Sequence, residues 1–236
     1  MATRSAMSDL STLELLSGLD GATVKRMLGG LRALKLAHGD LFDVADRDIA
    51  CCVIRSGRLA LDFDAADESH HRTVTLLEEG DVLIPPTEGW ATVGPRLRCR
   101  ALQPSIVLLV DADRYEAWLA DRRVASNLVR VLAAQVADRE LAVAVALERR
   151  VERRLLLKLR QLAERFGRVT PQGIRLDLEL THQQLADMVG AVRESVTIAL
   201  GRLASSGELT IENRTMWIHP TAEPPGADGT RPVGDA

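Results

Sequence analysis

The stretch that decides the fold is THQQLADMVGAVRESVTIAL, residues 181–200. Thr181 is a good N-cap residue, and Gln184 three positions later completes a capping-box pattern, so a helix is predicted to begin here. Gly190 interrupts the apolar spacing and predicts a tight turn. A second helix is predicted over residues 193–205. Two short helices joined by such a turn are typical of a helix-turn-helix.

Apolar side chains in the same stretch have the spacing that holds two helices at a steep angle. Ala186 is small where the two helices would cross closely. The predicted buried positions are Leu185, Val189 and Val196. Residues 209–218 follow as a short hairpin, which extends the prediction to a winged helix-turn-helix.

The start of the second helix has side chains suited to the edges of base pairs. A recognition helix enters the major groove by its N-terminal end, where Arg193 can donate two hydrogen bonds to guanine and Glu194 can accept one from cytosine. Ile198 can touch a thymine methyl group. The alternative is a helical hairpin whose Arg-Glu pair only faces water. The predicted DNA-binding residues are Thr181, Gln183, Arg193, Glu194, Thr197 and Ile198.

The composition of the chain is that of an ordinary globular protein. It has 236 residues, of which 46% are hydrophobic and 27% charged, with a formal net charge of −3. These figures exclude a disordered chain and a generally polybasic nucleic-acid binder. Aromatic residues make up 3%, which argues against a platform that stacks RNA bases. Residues 148–220 hold 12 basic and 9 acidic side chains, and a modestly basic module suits a DNA reader.

Sequence signals for export or membrane insertion are missing. The longest apolar run, residues 141–147, is far shorter than the roughly 18 residues of a membrane span. Residues 1–7 are not followed by the apolar core of a signal peptide. The three cysteines, two of them adjacent, make a poor disulfide framework. We therefore expect a cytoplasmic protein with no membrane partner.

The segments before residue 120 predict a β domain with flanking helices. Residues 10–31 predict two short helices, because apolar residues recur there at helical spacing. Residues 32–110 contain short apolar runs separated by turn residues, a pattern that predicts a sandwich or jelly roll. Asp111 is the expected N-cap of a short helix that ends near Leu119.

A long helix is predicted from about Val124 to Leu147. Its apolar stripe has near-heptad spacing, so it either packs on its own β domain or pairs two copies of the chain as a parallel dimer. We favour the dimer because a DNA-reading unit follows the helix. The predicted dimerisation residues are Leu128, Leu132, Gln135, Val136, Val143 and Leu147.

Two elements are predicted between the long helix and residue 181. A helix begins in the charged cluster 148–154 and ends near Gly167, a residue suited to a left-handed cap. A strand follows from Gly173 to Leu180. Residues 221–236 contain three Pro and three Gly and predict a disordered tail.

The span of residues 10–220 resembles the cyclic-AMP receptor protein/Fnr family of bacterial transcription regulators, most strongly over residues 180–197. The resemblance implies an α+β fold with an N-terminal β-roll (a jelly roll of the cyclic-nucleotide-binding type), a long dimerisation helix and a C-terminal winged helix-turn-helix. It places Arg193 and Glu194 at the paired base-reading positions. Ile198 and Val192 depart from the family pattern, which often has Arg and a capping Ser or Thr there.

The resemblance also implies where a cyclic nucleotide would bind. In the family, a Glu after a Gly-Asp turn holds the ribose, and an Arg about ten residues later holds the cyclic phosphate. Here Pro85 stands near the Glu position and Pro95 near the Arg position, although Arg96 or Arg98 offers a substitute. Proline has no amide donor for a phosphate. We therefore expect no control by cyclic AMP, and the effector-binding residues stay unassigned.

Other sensory chemistry has less support. Three cysteines fall short of the four ligands of an iron–sulfur cluster, and the candidate haem ligands His38, His70 and His71 include a pair that fits a polar hairpin. Cys51 or Cys52 would sense oxidants if strand alternation exposed one of them, but buried, inert cysteines are favoured. We expect no cofactor and no metal. No metal triad, nucleophile elbow or phosphate loop is present, so no enzymatic activity is expected.

These patterns together predict a homodimeric regulator that binds an inverted repeat in double-stranded DNA. Its units are a β-roll sensor (1–121), a dimerisation helix (122–147), a winged helix-turn-helix (148–220) and a tail (221–236). RNA polymerase and an unidentified small-molecule effector are further candidate partners. The alternative is a small-molecule-binding module whose C-terminal domain mediates protein contacts.

Overall fold

The computed structural model describes residues 13–43, 48–64, 71–85 and 96–219. Its N-terminal part begins with a short 3-10 helix, Glu14–Leu16, and helix α1, Gly21–Leu28. The strands that follow are β1 Arg32–Leu36, β2 Leu41–Asp43, β3 Cys51–Ser56, β4 Arg58–Asp64, β5 His71–Glu78, β6 Val82–Leu83, β7 Leu97–Ala101 and β8 Ser105–Val110.

These strands form two antiparallel sheets, with the orders β1-β8-β3-β6 and β2-β7-β4-β5. Side chains from both sheets meet in one buried core that includes Ile54, Leu59 and Leu77. The other face of the first sheet is covered by α1 and by the helices that follow the strands. The predicted β domain is confirmed because alternate side chains of each strand point into one core and the rest lie beneath helices or face solvent.

Three helices lead out of the β domain: α2 Ala112–Leu119, α3 Arg122–Leu147 and α4 Val151–Phe166. Asp111 caps α2 as predicted, since its carboxylate accepts a hydrogen bond from the backbone N–H of Arg114 at 2.9 Å. Asp121 caps α3 in the same way. None of the helices within the described ranges combines the length and hydrophobicity needed to cross a membrane.

The C-terminal part consists of a third antiparallel sheet and two short helices. The elements are β9 Gly167–Thr170, β10 Gly173–Leu176, α5 His182–Val189, α6 Arg193–Ser205, β11 Leu209–Glu212 and β12 Thr215–Ile218. The strand order in the sheet is β11-β12-β10-β9. Its core reaches the β domain, because Ala60 of β4 and Leu76 of β5 are buried in the same cluster as Leu155 of α4.

Two predictions between α4 and α5 are wrong in detail. Gly167 has φ −89° and is extended, so it begins β9 and does not form a left-handed cap. A Cβ atom there would collide with the carbonyl oxygen of Ala163, so the glycine permits a close approach of strand to helix. The strand predicted to reach Leu180 ends at Leu176, because its partner strand β9 begins at Gly167 and the residues before Gly167 belong to α4.

The prediction of two helices before β1 is confirmed in part. The second is α1, whereas the first is reduced to the 3-10 helix, and its residues before Leu13 lie outside the described part. The tail predicted at 221–236 lies outside it too. The predicted unit boundaries at residues 121, 147 and 220 stay predictions.

Candidate nucleic-acid interface and effector cavity

The start of α5 has the predicted cap. The Thr181 hydroxyl accepts a hydrogen bond from the N–H of Gln184 at 3.1 Å, and the Gln184 side chain accepts one from the N–H of Thr181 at 2.7 Å. Gly190 ends α5 with φ +61°, a left-handed conformation that costs glycine little. The cap thus pairs the backbone N–H groups of Gln184 and Thr181, which the helix itself leaves without a partner, and the start of α5 is well defined.

Helix α6 divides into a buried face and an exposed face. Val196 and Leu200 pack with Leu185 of α5 in the C-terminal core. The opposite face exposes Arg193, Glu194, Thr197 and Ile198. Val192 precedes the helix and makes no side-chain cap, as the sequence predicts.

Four of the predicted DNA-binding side chains differ in how strongly they are held. The side chains of Arg193 and Glu194 make no hydrogen bond or ion pair within the described part of the chain. The Thr197 hydroxyl donates to the carbonyl of Arg193 at 3.0 Å and lies 2.8 Å from Nδ1 of His182. Gln183 donates to Asp187 at 2.8 Å. The side chains of Arg193 and Glu194 are therefore available to contact bases, while those of Thr197 and Gln183 are held by hydrogen bonds to their neighbours.

The groove beside α6 adds residues that the sequence did not single out. Thr181, Gln183 and Arg193 line it together with His182 and with Arg214 from the β11–β12 turn. Arg214 has φ +68°, so its backbone belongs to a tight hairpin turn. His182 and Arg214 were missed because their roles depend on packing between elements that are distant in sequence.

The predicted dimerisation residues fall into two groups. Leu128 is buried in the core of its own protomer, Leu132 packs against that core, and Gln135 donates to the carbonyl of Val82 at 2.7 Å. In contrast, the exposed fractions are 52% for Val136, 60% for Val143 and 77% for Leu147.

Val129 joins this second group, because it is 66% exposed and lies seven residues before Val136. Val129, Val136 and Val143 therefore recur at heptad spacing along one exposed stripe of α3. One face of the long helix packs on the β domain, as the first interpretation expects, and another face is apolar and exposed, so the dimer stays a prediction.

A cavity of about 510 Å³ lies between the β domain, α3 and the C-terminal helices. Most of its wall is apolar, including Leu61 of β4, Leu97 of β7 and Met188 of α5. Cationic side chains on the wall are Arg72, Arg139 and Lys158. The volume and the mainly apolar lining are those of a small-molecule site.

Lys158 is the one of these cations that is fully buried, with 3% of its surface exposed. Its ammonium group donates to the side-chain oxygen of Gln161 at 3.0 Å. Burial lowers its pKa, and the nearby carboxylate of Asp138 acts in the opposite direction.

The arginines that could replace a cyclic-phosphate ligand are already paired. Arg98 forms an ion pair with Asp64, and Arg96 forms one with Asp43 at 2.5 Å. Pro85 is within the described residues, whereas Pro95 lies outside them. Moving Arg98 to a ligand would leave the buried carboxylate of Asp64 without its counter-charge.

The three cysteines are buried and reduced. Cys51 points into the core beneath the helices and Cys52 into the core between the sheets, so both faces of β3 are covered and neither side chain is exposed. Burial raises the pKa of Cys51 to about 12 and also raises that of Cys99. Thiols that stay protonated react slowly with oxidants. Within the described residues, no group of His, Cys, Asp and Glu could hold a metal ion.

Comparison with known proteins first concerns the C-terminal part of the chain. The family described as "Crp-like helix-turn-helix domain" matches residues 122–221. This part of the chain is a Crp-like helix-turn-helix domain. The match confirms the resemblance stated from the sequence, and it covers α3 to β12, including the capped turn and the exposed start of α6.

Curated relatives cover the chain in part. A CRP-like cAMP-activated global transcriptional regulator of Mycobacterium tuberculosis is 34% identical over 110 residues, which are 46% of this chain and 49% of the relative. A global nitrogen regulator of Synechocystis is 30% identical over 120 residues, 50% of this chain and 53% of the relative. The chain thus spans about half the length of the curated relatives it matches.

Solved structures share the fold over most of the chain. A CooA mutant from Carboxydothermus hydrogenoformans has TM-score 0.74 and 22% identity, covering 93% of this chain and 96% of that one. FixK2 from Bradyrhizobium japonicum has TM-score 0.64 and 18% identity, covering 80% and 93%. The predicted fold class, a β-roll domain, a long helix and a winged helix-turn-helix, is confirmed.

Proposed function

We propose that the protein is a cytoplasmic transcription regulator that binds double-stranded DNA as a homodimer. The observation that carries this proposal is the pair Arg193 and Glu194, exposed and unpaired at the first turn of α6. A recognition helix reads bases from this end, and these two residue types match guanine and cytosine. Thr181 and Gln183 at the start of α5 would contact phosphates, and Thr197 and Ile198 would lie along the groove.

The stripe of Val129, Val136 and Val143 supports the dimer. An apolar face at heptad spacing on a long helix gains free energy by pairing with a second copy. Two reading heads related by a two-fold axis would recognise an inverted repeat, with half-site centres about 34 Å apart. Leu147 extends the stripe toward the DNA-binding part, while Leu128, Leu132 and Gln135 hold α3 to its own β domain.

The cavity beside α3 supports control by a small molecule other than a cyclic nucleotide. Its wall is mainly apolar, and its three cations come from β5, α3 and α4. Arg96 and Arg98, which stand nearest the family's phosphate-binding position, are paired with carboxylates. Burying the charged phosphate of cyclic AMP would need counter-charge and donors to offset its desolvation. We propose a mainly apolar effector that contacts α5 directly when it binds, because Met188 of α5 forms part of the cavity wall.

Genomic footprinting with the purified protein tests the proposal. We expect protection of inverted repeats by a dimer, and light scattering at micromolar concentration should give the dimer mass. A protein that enriches no sequence would contradict DNA recognition and favour a module for protein contacts. Protection of single half-sites by a monomer would contradict the dimer alone.

A further inference from the structure

The cavity beside α3 has a wall whose charged side chains all have the same sign. Arg72, Arg139 and Lys158 are the charged residues among the described residues that line it, and none of these lining residues is an aspartate or a glutamate. The chain as a whole has a net charge of −3, so its composition does not account for this excess of cations. The cavity therefore favours a ligand that carries negative charge.

Lys158 is the cation that the fold holds in place. Its ammonium group donates to Oε1 of Gln161 at 3.0 Å, and Nε2 of Gln161 donates to Oδ1 of Asp138 at 2.7 Å. The other oxygen of Asp138 accepts a hydrogen bond from the Thr75 hydroxyl at 2.8 Å. The charge of Asp138 offsets the burial of the ammonium group only in part, since the pKa of Lys158 is lowered.

This buried ammonium group has hydrogen-bonding capacity that the protein does not use. An ammonium group has three N–H donors, and within the described ranges Lys158 makes no hydrogen bond other than the one to Gln161. Buried charges in proteins are normally paired. A ligand in the cavity can therefore supply both the missing acceptors and the missing counter-charge.

The rest of the wall disfavours ligands that need many hydrogen bonds. Among the described lining residues, Thr73 has the one hydroxyl group, no side-chain amide is present, and this hydroxyl already donates to Asp62 at 2.7 Å. Aliphatic side chains, Phe63 and Met188 make up the remainder. A sugar or a nucleoside would leave its polar groups unpaired here, and a cation would meet like charge.

We propose that this cavity binds an organic monocarboxylate, with its apolar body enclosed by the wall and its carboxylate at Lys158. The inference rests on the proposed control by a small molecule and names the chemical class of that molecule. The carboxylate accepts hydrogen bonds from the ammonium group, and one buried cation matches one negative charge. Arg72 and Arg139 are exposed and make no side-chain hydrogen bond or ion pair in the described part of the chain, so they add positive charge at the same cavity.

Calorimetry with matched acids and alcohols tests the carboxylate in the parent protein. Decanoate is compared with decanol, and naphthoate with naphthylmethanol, so that the apolar body stays constant within each pair. We expect at least one acid to bind about tenfold more tightly than its alcohol, the value of one charge-assisted hydrogen bond. The pair that shows this preference distinguishes a flexible chain from a ring system. Equal affinity of acid and alcohol in both pairs, or no binding of any probe, would overturn the proposal.

Three variants locate the carboxylate within the cavity. Lys158→Met, with a neutral unbranched side chain, should lose the preference for the acid and bind the alcohol like the parent. Arg139→Glu reverses a charge at an exposed position of the same wall, so the fold should tolerate it, and it should weaken binding of the acid several-fold. Lys35→Met, at an exposed lysine of β1, is the matched control and should behave like the parent. An acid preference retained by folded Lys158→Met or by Arg139→Glu would overturn the assignment.

Operator affinity with and without the preferred acid separates this inference from the proposed function. Acid-selective binding with unchanged operator affinity would support the carboxylate site and contradict control by a small molecule. Equal binding of acids and alcohols would contradict the carboxylate site and leave the mainly apolar effector in place. A protein that binds no DNA sequence would contradict the proposed DNA recognition, while the calorimetric comparison still decides the ligand class.

Discussion

The helix-turn-helix and the cavity beside α3 differ in how their residues are distributed along the chain. The first lies within residues 181–205, where one cap, one left-handed glycine and one apolar spacing define both helices. The second combines walls from β4, β5, β6, β7, α3, α4 and α5. A reading unit built from consecutive residues is visible in the sequence, whereas a cavity between elements exists only after they pack.

The strands that form the cavity wall should be more sensitive than the helix-turn-helix to loss of a single long-range contact. Asp62 is 2% exposed, accepts hydrogen bonds from Thr73 at 2.7 Å and Arg100 at 2.8 Å, and joins β4, β5 and β7. Asp62→Ala leaves the Arg100 charge without its buried partner, so we expect a loss of about 3–5 kcal/mol in the free energy of unfolding. Urea denaturation followed by circular dichroism measures it.

The matched control is Asp43→Ala, which breaks the more exposed pair with Arg96. It should cost about 1 kcal/mol or less. Equal losses for the two variants would contradict the view that burial makes the Asp62 network important.

A charged substitution in the exposed apolar stripe of α3 tests whether this stripe forms the dimer interface. We expect Val136→Glu to raise the dimer dissociation constant at least about tenfold, because the carboxylate must be desolvated in an apolar seam. Val169→Glu is the control, since Val169 is 89% exposed at a distance from the stripe, in β9. Sedimentation equilibrium compares them, and a Val136→Glu protein that dimerises like the control would rule out this seam.

A smaller effect is expected at the cap of α5. Thr181→Ala removes the acceptor for the N–H of Gln184, which should cost about 1 kcal/mol of stability. It should also weaken binding to all DNA sequences alike, because a phosphate contact carries no base information. Fluorescence anisotropy on operator and random duplexes checks this, and a loss confined to the operator would assign Thr181 a base contact.

The same contrast sets how much the sequence could predict. The capping box of Thr181, the turn at Gly190 and the N-cap at Asp111 follow from local rules, and the structure has all three. β9 was missed because its partner, β10, and the close approach of Gly167 to α4 decide it. Strand alternation placed Cys51 and Cys52 on opposite faces correctly, but only packing shows that both faces are covered.

The cavity is not expected to bind a cyclic nucleotide. We expect no binding of cyclic AMP or cyclic GMP by calorimetry at micromolar concentration, and no gain in operator affinity. Arg96→Ala and Arg98→Ala should behave like the parent in this assay, since both arginines form ion pairs with carboxylates of the β domain. Micromolar binding together with a tenfold gain in operator affinity would contradict the proposed effector class.

The central claim, that α6 reads DNA bases from its first turn, is tested most directly at Arg193. Affinities of the parent, Arg193→Ala and Arg202→Ala are measured on the selected operator and on each single base-pair variant of it. We predict that Arg193→Ala loses about 1–3 kcal/mol on the operator and its preference at one base pair per half-site. Arg202→Ala, at the far end of the same helix, should keep both. An Arg193→Ala protein that retains the affinity and base preferences of the parent would contradict the claim.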